Sequence, residues 1–107
     1  MSEMVKSEVK QVLDLVSYQP ASIVSSTLVQ RTYGTVTLFA FDKDQALSEH
    51  TAPFDAIVHV LDGQIKITID GSAYIVHAGE MIIMPKDSPH ALYAETQSKM
   101  MLIMIKT

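Results

Sequence analysis

The 107-residue chain contains no cysteine. A disulfide framework, thiolate metal ligands and a cysteine nucleophile are therefore excluded. Basic residues are few. Eight Lys and Arg stand against twelve Asp and Glu, for a net charge of -4, and they are scattered. A phosphate-binding surface wants clustered cations, so nucleic acid is not an expected partner. No apolar run is long enough to cross a bilayer, and the first ten residues alternate acids and bases without the apolar region of a secretory signal. A soluble cytoplasmic protein with no membrane partner is the expectation. A glycine-rich phosphate loop is also missing. Ser48 with His50 and Ser88 with His90 lack the orienting acid and strand–turn–helix context of a nucleophilic site.

What remains is a globular composition, 48% hydrophobic and 19% charged, of one domain's length. Val5, Val9, Val12, Leu13 and Val16 fall on one helical stripe, with Ser2 as N-cap and Glu3 in the first turn. The spacing predicts an amphipathic helix over residues 1–19, packed on the rest of the protein and ending before Gln19-Pro20. From residue 20 to 107 the period changes to two. Runs at 21–30, 35–41, 56–61, 64–69, 73–77, 81–84, 90–94 and 100–105 read as strands. Asp62-Gly63, Asp70-Gly71, Ala78-Gly79 and the Pro85–Pro89 stretch read as turns, with Asp-Gly the strongest hairpin signal. Many short strands at this spacing predict an all-β sandwich or barrel in a single domain. The runs Met81–Met84 and Met100–Ile105 are apolar on both faces. One face must meet the opposite sheet, and the other a partner, so a homodimer is expected.

Two spaced motifs add to this. Asp44, His50, Ala52, Ala56 and Gly63 lie at the spacing G-x5-H-x-H-x3-E-x6-G. Gly79, Pro85, Asp87, His90 and Ala94 lie at G-x5-P-x-G-x2-H-x3-N. Five of the ten positions keep the motif residue: His50, Gly63, Gly79, Pro85 and His90. On these residues the chain resembles the small single-domain cupins, over roughly residues 38–105. The resemblance implies a cupin jelly-roll barrel, a small double-stranded β-helix. It also implies a divalent metal inside it, held by two histidines and a glutamate of the first motif and the histidine of the second. Here the departures fall on the ligands. Asp44 and Asp87 replace glycines, Ala52 a histidine, Ala56 the glutamate and Ala94 the asparagine. His50 and His90 are left as candidate metal ligands, for Zn, Ni, Fe, Mn or Cu.

Strand alternation identifies the interior independently. Ala56, Val58 and Val60 share one face, and His90, Leu92 and Ala94 share another. An apolar interior with two imidazoles would suit a small molecule bearing one polar group. His50, Val58, Val60, His90 and Leu92 are the candidate ligand-binding residues. His59 points to the opposite face, and His77 sits exposed beside a turn. Glu49 and Asp55 alternate away from the interior, and Glu80 supports its turn. Met81, Met84, Met100, Met101 and Met104 either fill core gaps or add thioethers, which favour Cu(I). Three functions stay open: a small-molecule-binding cupin anchored by two histidines, a metal-dependent dioxygenase, isomerase or epimerase with a two-histidine centre, and a non-catalytic dimeric scaffold.

Overall fold

The computed structural model describes residues 6–106. Among these residues nine strands run in chain order: β1 (Ile23–Arg31), β2 (Gly34–Phe41), β3 (Ala46–His50), β4 (Ala56–Asp62), β5 (Gln64–Ile69), β6 (Ser72–His77), β7 (Met81–Met84), β8 (His90–Ala94) and β9 (Ser98–Ile105). They form two antiparallel sheets. One has the order β1-β2-β9-β4-β7, the other β3-β8-β5-β6. The sheets face each other over a core of Phe41, Val58, Val60, Ile65, Ile67 and Met100, each at most 1% exposed. Burying a side chain of this size stabilises the fold by about 1.5–3 kcal/mol. No helix of the described residues is long and apolar enough to cross a membrane.

Strand alternation places the core as the period-two pattern demands. In β4, Ala56, Val58 and Val60 are buried while Ile57, His59 and Leu61 are half-buried on the outer face. Two of the expected hairpin signals resolve differently. At Asp70-Gly71, Ile69 pairs with Ser72, and φ is 50° and 82°. Two successive positive φ values are what a tight hairpin between twisted strands requires. Asp62-Gly63, by contrast, closes no hairpin. It carries the chain from one sheet to the other, because β9 and β7 already flank β4 while β6 and β8 flank β5. Gly63 has φ 72°, and a Cβ there would stand 2.2 Å from the Gln97 carbonyl oxygen. The glycine is needed for a sheet-to-sheet crossing pressed against β9.

No α-helix is found among the described residues of the N-terminal segment. Residues 6–19 hold one 3-10 turn, Val12–Asp14, and otherwise no regular structure. Ser7 is left-handed, with φ 63°, and Val9 is fully exposed. Four valines on the proposed stripe are weak helix formers, since β-branched side chains lose rotamer freedom in a helix. The segment instead lays Val12, Leu15, Val16 and Tyr18 over Leu38, Ala40, Val24 and Leu61, on the outer face of the five-stranded sheet. The expected cap at Ser2 and first-turn Glu3 lie outside the described residues.

β3 is an addition to the expected strands. His50 is its last residue. The segment Thr51–Asp55 that follows is a loop, tied by two bonds to the loop between β7 and β8. Asp87 N–H donates to Ala52 O at 2.8 Å, and Lys86 N–H donates to the Asp55 carboxylate at 2.8 Å. These bonds clamp the two loops that frame one end of the barrel.

Candidate functional site

At that end β3 and β8 run side by side, with His50 paired to His90 in register. His90 is 3% exposed, and His50 is exposed at the rim. Their rings meet edge to face, centroids 4.4 Å apart at 73°. The two Nε2 atoms are 3.1 Å apart. Each Nδ1 is directed at a backbone carbonyl two residues back: His50 to Ser48 O at 2.7 Å, His90 to Ser88 O at 3.0 Å.

This geometry fixes the tautomers. A carbonyl only accepts, so both Nδ1 atoms carry a proton and donate. Neutral rings of that form present Nε2 as a lone pair. Two lone pairs facing at 3.1 Å repel unless something positive stands between them. A hydrogen-bond donor or a cation presented to both Nε2 atoms would relieve this.

Beneath it lies a cavity of about 60 Å³. By volume it holds a few waters or a molecule of a few heavy atoms. Its wall draws on both sheets. Leu47 and Leu92 come from one side, Ala56, Met84, Met100, Leu102 and Met104 from the other, and Ala52 from the loop. The imidazoles are its only polar side chains. Ala52 and Ala56 border the space where a cupin metal motif has a histidine and a glutamate.

The residues do not fit the metal that the resemblance implies. Such an ion takes three or four protein ligands of N, O or S type. Two imidazoles are present, and no group of three or more His, Cys, Asp or Glu converges among the described residues. Met84, Met100 and Met104 contribute thioethers to the wall, alongside aliphatic side chains.

Of the sequence-derived site residues, His50, His90 and Leu92 line the cavity. Val58 and Val60 do not; both are 0% exposed and belong to the packed core beside it. Leu47, Leu102 and the wall methionines replace them. His59 faces outward, half-buried, in register with Met81 and Met101. His77 is exposed, and its Nδ1 lies 3.0 Å from Glu80. Glu80 also accepts the His77 backbone N–H at 2.8 Å. That bond, reinforced by the ring, holds the Glu80 carboxyl below the ordinary range. The role is structural, and the turn it braces is distant from the cavity. At the other end of the barrel an open polar depression is bordered by Tyr18, Asp42, Asp62 and Glu95. Tyr18 donates to Asp62 at 2.6 Å, and partial burial followed by that carboxylate raises its phenol well above the usual range.

Fold, motif spacing and the paired histidines converge on one class, and a cupin domain family model matches residues 37–106. The chain belongs to the cupin family. Among solved structures it is similar over its whole length to the conserved protein SPY1581 of unknown function from Streptococcus pyogenes. The identity is 37%, the match covers 96% of that chain, and the TM-score is 0.93. A cupin 2 conserved barrel domain protein from Leptotrichia buccalis is 43% identical over 88% of this chain but only 46% of its own, with a TM-score of 0.85. A cupin superfamily protein from Desulfitobacterium hafniense shares the fold, with a TM-score of 0.92 over 99% of this chain and 97% of that one, at 20% identity. Comparison with curated proteins finds no match.

Proposed function

We propose that this cupin binds a small molecule in the barrel mouth, with His50 and His90 as polar anchors. The observation that supports it is the cavity itself. It is apolar except for two Nε2 atoms whose Nδ1 partners hold both rings in one tautomer and one orientation. Apolar walls with a few fixed polar groups are the chemistry of ligand pockets. The ligand is small, with one polar or anionic group facing the imidazoles and a short apolar remainder against Leu92, Leu102 and Met104.

The test is a thermal-shift screen of untagged protein against small acids, alcohols and sugars, with His50→Ala and His90→Ala in parallel. A ligand at one hundred times its dissociation constant adds about 2.7 kcal/mol. In a domain of this size that is a rise of roughly 10 °C or more. The rise should vanish in both variants. Hits that persist in both, or no hit at all, would overturn the reading. Elemental analysis of the same preparation is the companion measurement. About one transition-metal ion per chain, lost in His50→Ala, would replace the organic-ligand reading with a two-histidine metal centre.

A further inference from the structure

Of the four histidines, three have a partner for the ring. His50 and His90 each direct Nδ1 at a carbonyl, and His77 is held by Glu80. The His59 ring has none among the described residues. It lies at the middle of β4, on the outer face of the five-stranded sheet, with β7 on one side and β9 on the other. Strand register sets a methionine in each flank. His59 is paired with Met81 of β7 and with Met101 of β9. Residues directly opposed in antiparallel strands project from the same face, with Cβ atoms about 4.5–5.5 Å apart. One imidazole is thus bracketed by two thioethers on a line across three strands. Met81 is 51% exposed, while His59 and Met101 are half-buried.

We propose that Met81, His59 and Met101 form a surface site for a soft monovalent cation, Cu(I). The donor set selects the ion. Thioethers favour Cu(I) and imidazole accepts it, whereas Mg, Ca and Mn want oxygen donors, and structural zinc wants thiolates, imidazoles or carboxylates in fours. Methionine has three rotatable bonds, so each sulfur can swing to the tip of the imidazole between them. The surroundings exclude harder, hydrated ions. Ile57 and Ile103 lie in register on the next row of the same face, and Leu38 pairs with Met101 from the far side. Lys99 is two residues from Met101 on that face, but its ammonium is taken by the Leu13 carbonyl and the Tyr18 ring. The site is separate from the barrel, because Ala56, Val58 and Val60 occupy the inner face of the same strand. Packing of methionine against an imidazole needs no ion, but leucine would serve that purpose nearly as well, and the test below turns on that difference.

The experiment is an anaerobic titration of untagged protein with Cu(I) against a chromophoric competing chelator. Wild-type protein should withdraw about one ion per chain. Met81→Leu and Met101→Leu keep the volume and the packing but remove the sulfur, and each should weaken uptake at least about tenfold. His59→Gln should do the same. Melting temperatures report that the variants remain folded. The double variant His50→Ala with His90→Ala should leave uptake unchanged, and an excess of Zn²⁺ should not displace the ion. In protein labelled at the methionine methyls, one equivalent of Ag(I), a redox-inert stand-in for Cu(I), should move the Met81 and Met101 signals and leave those of Met84 and Met100 in place. No uptake by the wild type overturns the proposal. So does uptake that survives both leucines, which leaves packing as the whole role of the methionines, or uptake lost with His50 and His90, which puts the ion inside the barrel.

Discussion

Asp44 and Asp87 stand where the two cupin motifs carry glycine, and both keep a glycine's backbone, with φ of 70° and 64°. The left-handed region costs most residues roughly 1–2 kcal/mol, and less for aspartate, whose short side chain bonds locally. The substitutions are therefore tolerated in the place that demands them. Asp87→Ala should destabilise by about 1 kcal/mol, while Asp87→Gly should stay within about 0.5 kcal/mol of wild type, read from urea unfolding midpoints. Gly63 is the stricter case, with both a positive φ and a carbonyl at 2.2 Å from any Cβ. Gly63→Ala should cost at least about 2 kcal/mol, since strain and displacement of β9 add together. Such positions are legible from motif spacing alone. The neighbours of His50 and His90 are not. Leu47 and Leu102 line one cavity from two different sheets, and local alternation cannot say which inward residues border a void and which are packed solid.

Among elements, the strongest expectations came from hairpin chemistry and period two, and β5, β7 and β8 have the bounds that pattern predicts. β3 escapes it because Ala46–His50 is largely exposed and carries a glutamate and a histidine without an apolar alternation. The N-terminal segment misleads for the opposite reason. Val12 and Val16 are apolar because they cover a sheet, not because they wind into a helix. Val16, 5% exposed against Leu38 and Ala40, is its anchor. Val16→Ala should destabilise the domain by about 1–2 kcal/mol, the cost of a small cavity, with no loss of far-UV helical signal. Acid should act on the same scale. Asp42 accepts the Ala21 backbone N–H at 2.7 Å and is bonded by Gln97, so its carboxyl, like that of Glu80, lies below the ordinary range. Carboxyls lowered in the folded state add stability that is present above their unfolded values near pH 4 and fades as pH falls through the lower folded values. Thermal melts from pH 6 to below about 3 should show that decline. Asp42→Asn together with Glu80→Gln should flatten it.

For the whole molecule, the order β1-β2-β9-β4-β7 puts β9, the last strand in sequence, at the middle of the larger sheet. It pairs with β2 on one side and β4 on the other, and its Met100, Leu102 and Met104 border the histidine cavity. The consequence concerns synthesis. As the chain leaves the ribosome, β2 and β4 emerge with an unpaired edge each. The barrel mouth has no floor until β9 follows them out. A nascent chain arrested before Ser98 should remain protease-sensitive and hold no ligand, and release of eight further residues, Ser98–Ile105, should convert it in one cooperative step. Exposed edges in the interval are templates for pairing with other chains. Time spent waiting for that strand is a window in which those edges stand open to other chains.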